Sequence, residues 1–180
     1  MRLDRALALV SAVLLATGCS SGASSTSASA AAPAGPSAKA TIEARSGSSL
    51  TGTAVAREAK GAVTITVDVA GIPEGVHAVH IHEKGDCSAP DAASAGPHFN
   101  PTNAPHAAPD AAQHHAGDFG NMTVGKDGKG HLEITSSMLT VAAGANSVVG
   151  RAIIVHGKPD DLQTQPAGNA GPRIGCGLFQ

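Results

Sequence analysis

His80 and His82 stand one residue apart in HAVHIHE, and His98, His106, His115 and Asp118 follow them along the chain. On a β-strand, residues at i and i+2 leave from the same face. The two imidazoles therefore point together toward one ion while Ile81 turns to the core side. A short-spaced pair of this kind suits copper or zinc. His98 lies in GPHFNP, where Pro97 and Pro101 restrict the backbone on both sides. In HHAGD, His115 and Asp118 are three residues apart, and with His98 and His106 they make a closed nitrogen and oxygen shell of the kind zinc takes. His114 is the alternative donor at that point. His156 ends the apolar run AIIVH and is expected to complete the copper set from the far side of the sheet edge. For any one of these histidines alone, a satisfied core residue is the simpler reading; the clustering is what points to metal.

Such ligands need a rigid frame, and the sequence supplies strands. From Lys39 onward the polarity alternates with period two in AKATIEARS, SLTGTAVAREA and GAVTITVDVAGI, then in HAVHIHE, GDFGNMTV, GHLEITSS, VVGRAIIVHG and RIGCGLF. The GKDGKG segment predicts a hairpin turn at Asp127-Gly128. No long amphipathic helix is present, so the fold class is all-β, a sandwich or barrel. Two stretches resist the strand pattern, about Lys84 to Ala116 and about Gly157 to Pro172. Long structureless loops in a compact domain usually carry function, and the first holds His98, His106, His114 and His115.

The N-terminus reads as export. Arg2 and Arg5 precede an apolar run, Ala6 to Ala16, too short to span a bilayer, so residues 1–18 are expected to be a signal peptide. LLATGCS resembles a bacterial lipobox, which implies acylation of Cys19; an ordinary cleaved leader with Cys19 incidental is the alternative. Residues 19–38 are almost entirely Ser, Ala, Gly, Thr and Pro, and are expected to be a disordered tether ahead of a domain at 39–180. Cys87 and Cys176 then remain as an even pair in an oxidising compartment, expected as a disulfide, with two buried free thiols as the alternative. With 12 Lys and Arg against 14 Asp and Glu, and no Trp or Tyr, the chain has neither a basic stripe nor a stacking surface for nucleic acid.

Taken in order, GVHAVHIHEKGDC, SAGPHFNP, HHAGD, GRAIIVHGKPDDL and GNAGPRIGCG resemble the copper–zinc superoxide dismutases, over about Gly75 to Gly177. The resemblance implies a Greek-key fold of about eight antiparallel strands with two long functional loops. It implies one copper ion per subunit on His80, His82, His98 and His156, and one zinc ion on His98, His106, His115 and Asp118. His98 would then bridge both ions. It gives Asp160 the task of linking the free ring nitrogens of His80 and His106, His77 a structural place, and Arg173 the task of attracting and orienting an anionic substrate. The implied reaction is dismutation of superoxide to dioxygen and hydrogen peroxide, guarding the cell envelope or periplasm, by a protein held to a membrane only through a lipid on Cys19. Pairing into a homodimer is a further expectation of the resemblance.

Overall fold

A computed structural model describes residues 35–180. The proposed signal peptide, Cys19 and most of the tether lie outside the described residues. Eight strands follow one another: β1 (Ser37–Ala44), β2 (Thr51–Ala59), β3 (Ala62–Ala70), β4 (Gly75–His82), β5 (Asp118–Val124), β6 (Gly130–Ser136), β7 (Ala152–His156) and β8 (Arg173–Leu178). All pairings are antiparallel. The spatial order β1-β2-β3-β6-β5-β4-β7-β8 closes on itself through β1 and β8. Closure leaves no open sheet edge, the main aggregation hazard of an all-β chain. β1 starts at Ser37 and pairs Ser37 with Arg57, so strand structure reaches two residues into the segment expected as tether. Ser-Ala-Lys-Ala looks like linker but alternates exposed and buried once β2 is alongside.

The barrel interior follows from the period of two. Ala38, Ala40 and Ile42 of β1 and Val63, Ile65, Val67 and Val69 of β3 turn inward and are buried. Phe119, Met122, Phe179 and Leu50 fill the same core. Each fully buried aliphatic side chain contributes about 1.5–3 kcal/mol relative to exposure. Lys126, Asp127 and Gly128 make the β5–β6 turn, with Gly128 at φ 72° as the Asp-Gly signal requires.

β4 and β7 depart from this alternation. The last six residues of β4 and all five of β7 are buried on both faces. Val79, Ile81, Ile153 and Val155 join the barrel core, whereas Ala152 and Ile154 face outward and pack with Ala92, Ala95 and Cys176 in a second apolar cluster. The two long loops fold over the outer face of these strands and cover it. Backbone bonds lay the first loop along β4: Phe99 N–H donates to the Ile81 carbonyl at 2.8 Å and Gly117 N–H to the Phe99 carbonyl at 3.0 Å. The same outer cluster holds the Cys87–Cys176 disulfide, which joins residues 89 apart and settles the choice between bridge and free thiols.

Candidate metal centre

His80 and His82 project from the outer face of β4, as their spacing predicts. β7 lies directly beside β4, with His80 opposite Ile154. His156 therefore arrives from the neighbouring strand on the same covered face, not from across a sheet edge. Register shifts at Ala78/His80 and at Val155/His156 interrupt the ladders next to these ligands, and such bulges re-aim side chains at functional sites. His98 forms an isolated antiparallel bridge with His82, which brings its ring over the strand.

Two donor clusters result, His80, His82, His98 and His156, and His98, His106, His115 and Asp118, each with ligand atoms within 4.8 Å of one another and all buried. His98 belongs to both. In the first cluster the surrounding bonds fix which nitrogen is free. His80 Nε2–H donates to Asp160 Oδ2 at 2.8 Å, His82 Nδ1–H to the Gly96 carbonyl at 2.8 Å, and His156 Nδ1–H to the Gly171 carbonyl at 3.3 Å. That leaves His80 Nδ1, His82 Nε2, His98 Nε2 and His156 Nε2, all buried and all without a hydrogen-bond partner. Leaving one such atom unsatisfied costs about 1–3 kcal/mol. Four lone pairs aimed at one place make sense only around a cation, and an all-imidazole set fits copper.

The second cluster makes the same case with charge. Asp118 Oδ1 lies 2.8 Å from His98 Nδ1, 2.9 Å from His106 Nδ1 and 3.3 Å from His115 Nδ1. Its other oxygen is held by the backbone N–H groups of Ala107 and His115. His106 donates its Nε2–H to Asp160 Oδ1 at 3.0 Å, so in its neutral form Nδ1 carries a lone pair against the Asp118 carboxylate. Two acceptors at 2.9 Å repel unless a positive charge lies between them. Zinc bonds of about 2.0–2.1 Å imply a tetrahedral edge of about 3.3 Å, in the range of the observed 2.8–3.5 Å.

The electrostatics are arranged to match. Burial pushes His80 and His82 well below the ordinary imidazole range, and the neighbouring His98 adds to it. Burial brings His156 down to about 4. These rings are neutral near pH 7 and ready to ligate. For Asp118, burial acts upward, but the His98 hydrogen bond and the charges of His106 and His115 outweigh it and hold the carboxyl at about 2. Burial likewise lowers His115. At His106 burial also acts downward, yet the Asp118 and Asp160 carboxylates win and raise it.

Asp160 is buried and spans the clusters, one oxygen to His80 and one to His106. Its backbone N–H donates to Asn121 Oδ1 at 2.7 Å, and Asn121 Nδ2 donates back to its carbonyl at 2.9 Å. Gln165 treats His106 in the same way, accepting from its N–H at 2.8 Å and donating to its carbonyl at 2.7 Å. Neither amide carries a sequence signal, because a lone Asn or Gln in a loop or strand is commonplace. His114 turns away and donates to the His115 carbonyl, so the alternative ligand falls out. His77 bonds the His156 and Pro73 carbonyls, and His131 pairs with Asp68 on the exposed surface.

A cavity of about 400 Å³ opens onto the first cluster, lined by His82, His98, His156, Lys158, Asn169 and Arg173. Arg173 is half-buried and donates to the Ala92 carbonyl at 2.7 Å and the Gly96 carbonyl at 2.8 Å. It makes no ion pair among the described residues. The site is therefore an anion-attracting mouth above four convergent imidazoles.

The family model described as Copper/zinc superoxide dismutase (SODC) matches residues 50–179. Among solved structures, the chain is similar to one reported as "Crystal Structure Analysis of the clock protein EA4". The two share 28% identity over 83% of this chain and 96% of that one, with a TM-score of 0.73.

Proposed function

Because the chain belongs to the copper/zinc superoxide dismutase family of oxidoreductases, we propose that it dismutates superoxide with one copper ion and one zinc ion per subunit. His80, His82, His98 and His156 would hold the copper, and His98, His106, His115 and Asp118 the zinc. The observation that carries this reading is the four partnerless buried nitrogens on rings whose other nitrogens are all engaged. When bound, copper supplies a one-electron couple and zinc a fixed, redox-silent positive charge. Two superoxide anions and two protons give one dioxygen and one hydrogen peroxide.

The chain's own residues prepare that exchange. Arg173 offers a guanidinium without a carboxylate partner at the mouth, where it attracts and orients a small anion in competition with water. Lys158 lines the same cavity and is the loop cation best placed to assist it. Asp161 is engaged with Thr164 and Asn169, so its charge is tied to the loop rather than turned on the substrate path. His98 has one nitrogen in each cluster, and Nε2 is the atom at which it would accept and return a proton. Asp160 keeps the two clusters in register.

The setting is proposed to be extracytoplasmic, with the domain protecting the cell envelope or periplasm from superoxide and held to a membrane through a lipid on Cys19. The disulfide supports an oxidising compartment, and the composition of the segment after Cys19 suits a leash. Val149 and Leu178 are exposed apolar side chains near the start of β7 and the end of β8, which supports pairing with a second copy. The test is metal analysis with pulse radiolysis on the intact chain. One copper and one zinc per chain with rapid superoxide decay is expected; stoichiometric loading without decay refutes the reading.

A further inference from the structure

The turn between β1 and β2 bonds both to the strand that carries Arg173 and to the loop that holds its guanidinium. The β1–β8 ladder pairs Ala44 with Gly175 and continues when the Arg45 N–H donates to the Ile174 carbonyl at 2.9 Å. Ser46 Oγ–H donates to the carbonyl of Arg173 itself at 2.9 Å, and Ser48 Oγ–H to that of Ile174 at 2.6 Å. On its other side the same turn grips the first long loop: Arg45 Nε–H donates to the Cys87 carbonyl at 2.9 Å and the Ser46 N–H to the Pro90 carbonyl at 2.8 Å. Arg173 reaches back into that loop through the Ala92 and Gly96 carbonyls. A ring of contacts thus runs from turn to loop to guanidinium and returns to the turn through the main-chain carbonyl of Arg173. The Cys87–Cys176 bridge ties the same two pieces independently. Ser46 holds φ 53°, a left-handed conformation that non-glycine residues adopt at some cost, and this aims its hydroxyl at Arg173.

We propose that Arg45 and Ser46 are positioning residues that fix the Arg173 guanidinium at the cavity mouth in parallel with the disulfide, so that anion orientation survives the loss of either tie. The inference rests on reading Arg173 as the anion-orienting residue. Ser46→Gly separates positioning from stability, because glycine takes the left-handed conformation readily while the hydroxyl is lost.

The test uses metal-loaded full-length chains and two readouts: azide affinity from the visible spectrum and amide hydrogen exchange across residues 87–96. Arg173→Ala serves as the reference. Ser46→Gly is expected to unfold no earlier than the parent yet bind azide about 2- to 5-fold more weakly, the effect of one hydrogen bond. Arg45→Ala should do the same. Arg45→Ala combined with Cys87→Ser and Cys176→Ser should approach the Arg173→Ala affinity and exchange faster across 87–96. If Ser46→Gly keeps the parent's azide affinity while Arg173→Ala loses it, the positioning role is wrong, whether or not the combined variant folds. If Arg173→Ala itself keeps full azide affinity and rate, the underlying reading of Arg173 fails instead.

Discussion

Replacing Asp160 by asparagine asks whether one carboxylate sets the donor state of both clusters. In the native protein each Asp160 oxygen accepts an imidazole N–H, from His80 at 2.8 Å and from His106 at 3.0 Å, and Oδ1 also takes the Leu162 N–H at 2.6 Å. Asparagine has nearly the same volume, and Asn121 still holds the backbone at that position. The amide oxygen will settle where two donors meet, at the Oδ1 position, and this turns the NH2 group toward His80 Nε2–H. Two donors cannot face each other, so His80 changes tautomer and Nδ1 becomes protonated. The hydrogen then points into the four-nitrogen cluster where a lone pair is needed. Loss of a hydrogen bond to a charged group is worth about 1.5–3 kcal/mol, equivalent to about a 10- to 100-fold loss of copper affinity at about 1.4 kcal/mol per decade, a range typical of outer-sphere ligand partners. Competition titration with a chelator, run for copper and zinc separately, measures this. Copper affinity should fall by that factor with a smaller change for zinc. Copper affinity within twofold of the parent would refute the tautomer argument.

The metal-free protein should lose stability as pH falls from about 6.5, the unfolded imidazole value. His80, His82 and His156 are depressed in the fold, so the unfolded chain binds more protons and stability rises with pH across that window. His156 alone, at about 4, accounts for about 3 kcal/mol once pH reaches its folded value. His106, being raised, opposes the trend, and Asp118, at about 2, adds a further loss below about pH 4. A urea midpoint that stays flat between pH 7 and 5 would contradict the assignment. Removing the disulfide with paired Cys→Ser changes frees a loop of 89 residues' separation, for which chain entropy gives roughly 4–5 kcal/mol; urea unfolding should show it, and a change below about 1 kcal/mol would refute it. Gly168→Ala places a methyl against Asp160 Oδ1 and His106 Nε2 at a residue with φ 64°. It should cost about 2 kcal/mol or more and weaken zinc binding, read by calorimetry and chelator competition.

The strands and most candidate ligands were legible because both rest on periodic or typed signals. The i, i+2 placement of His80 and His82 and the i, i+3 placement of His115 and Asp118 survive into the structure unchanged. What the sequence did not carry is supplied by groups that every residue has or that many residues share. The Gly96 carbonyl accepts from both His82 and Arg173, yet a carbonyl has no signature in a residue string. Asn121 and Gln165 work by mimicking a peptide group, visible only once the loops are in place. The start of β1 is hidden for the opposite reason, since Ser37 owes its strand pairing and Ala38 its burial to β2 rather than to their own type.

The ligand-bearing side chains stand on the outside of the barrel, while its aliphatic filling is complete without them. The barrel can therefore close before ions arrive, but an empty site leaves four buried lone pairs unsatisfied, so metal binding adds stability to a shell already formed. The fraction of working molecules would follow local metal supply as well as the quality of the fold.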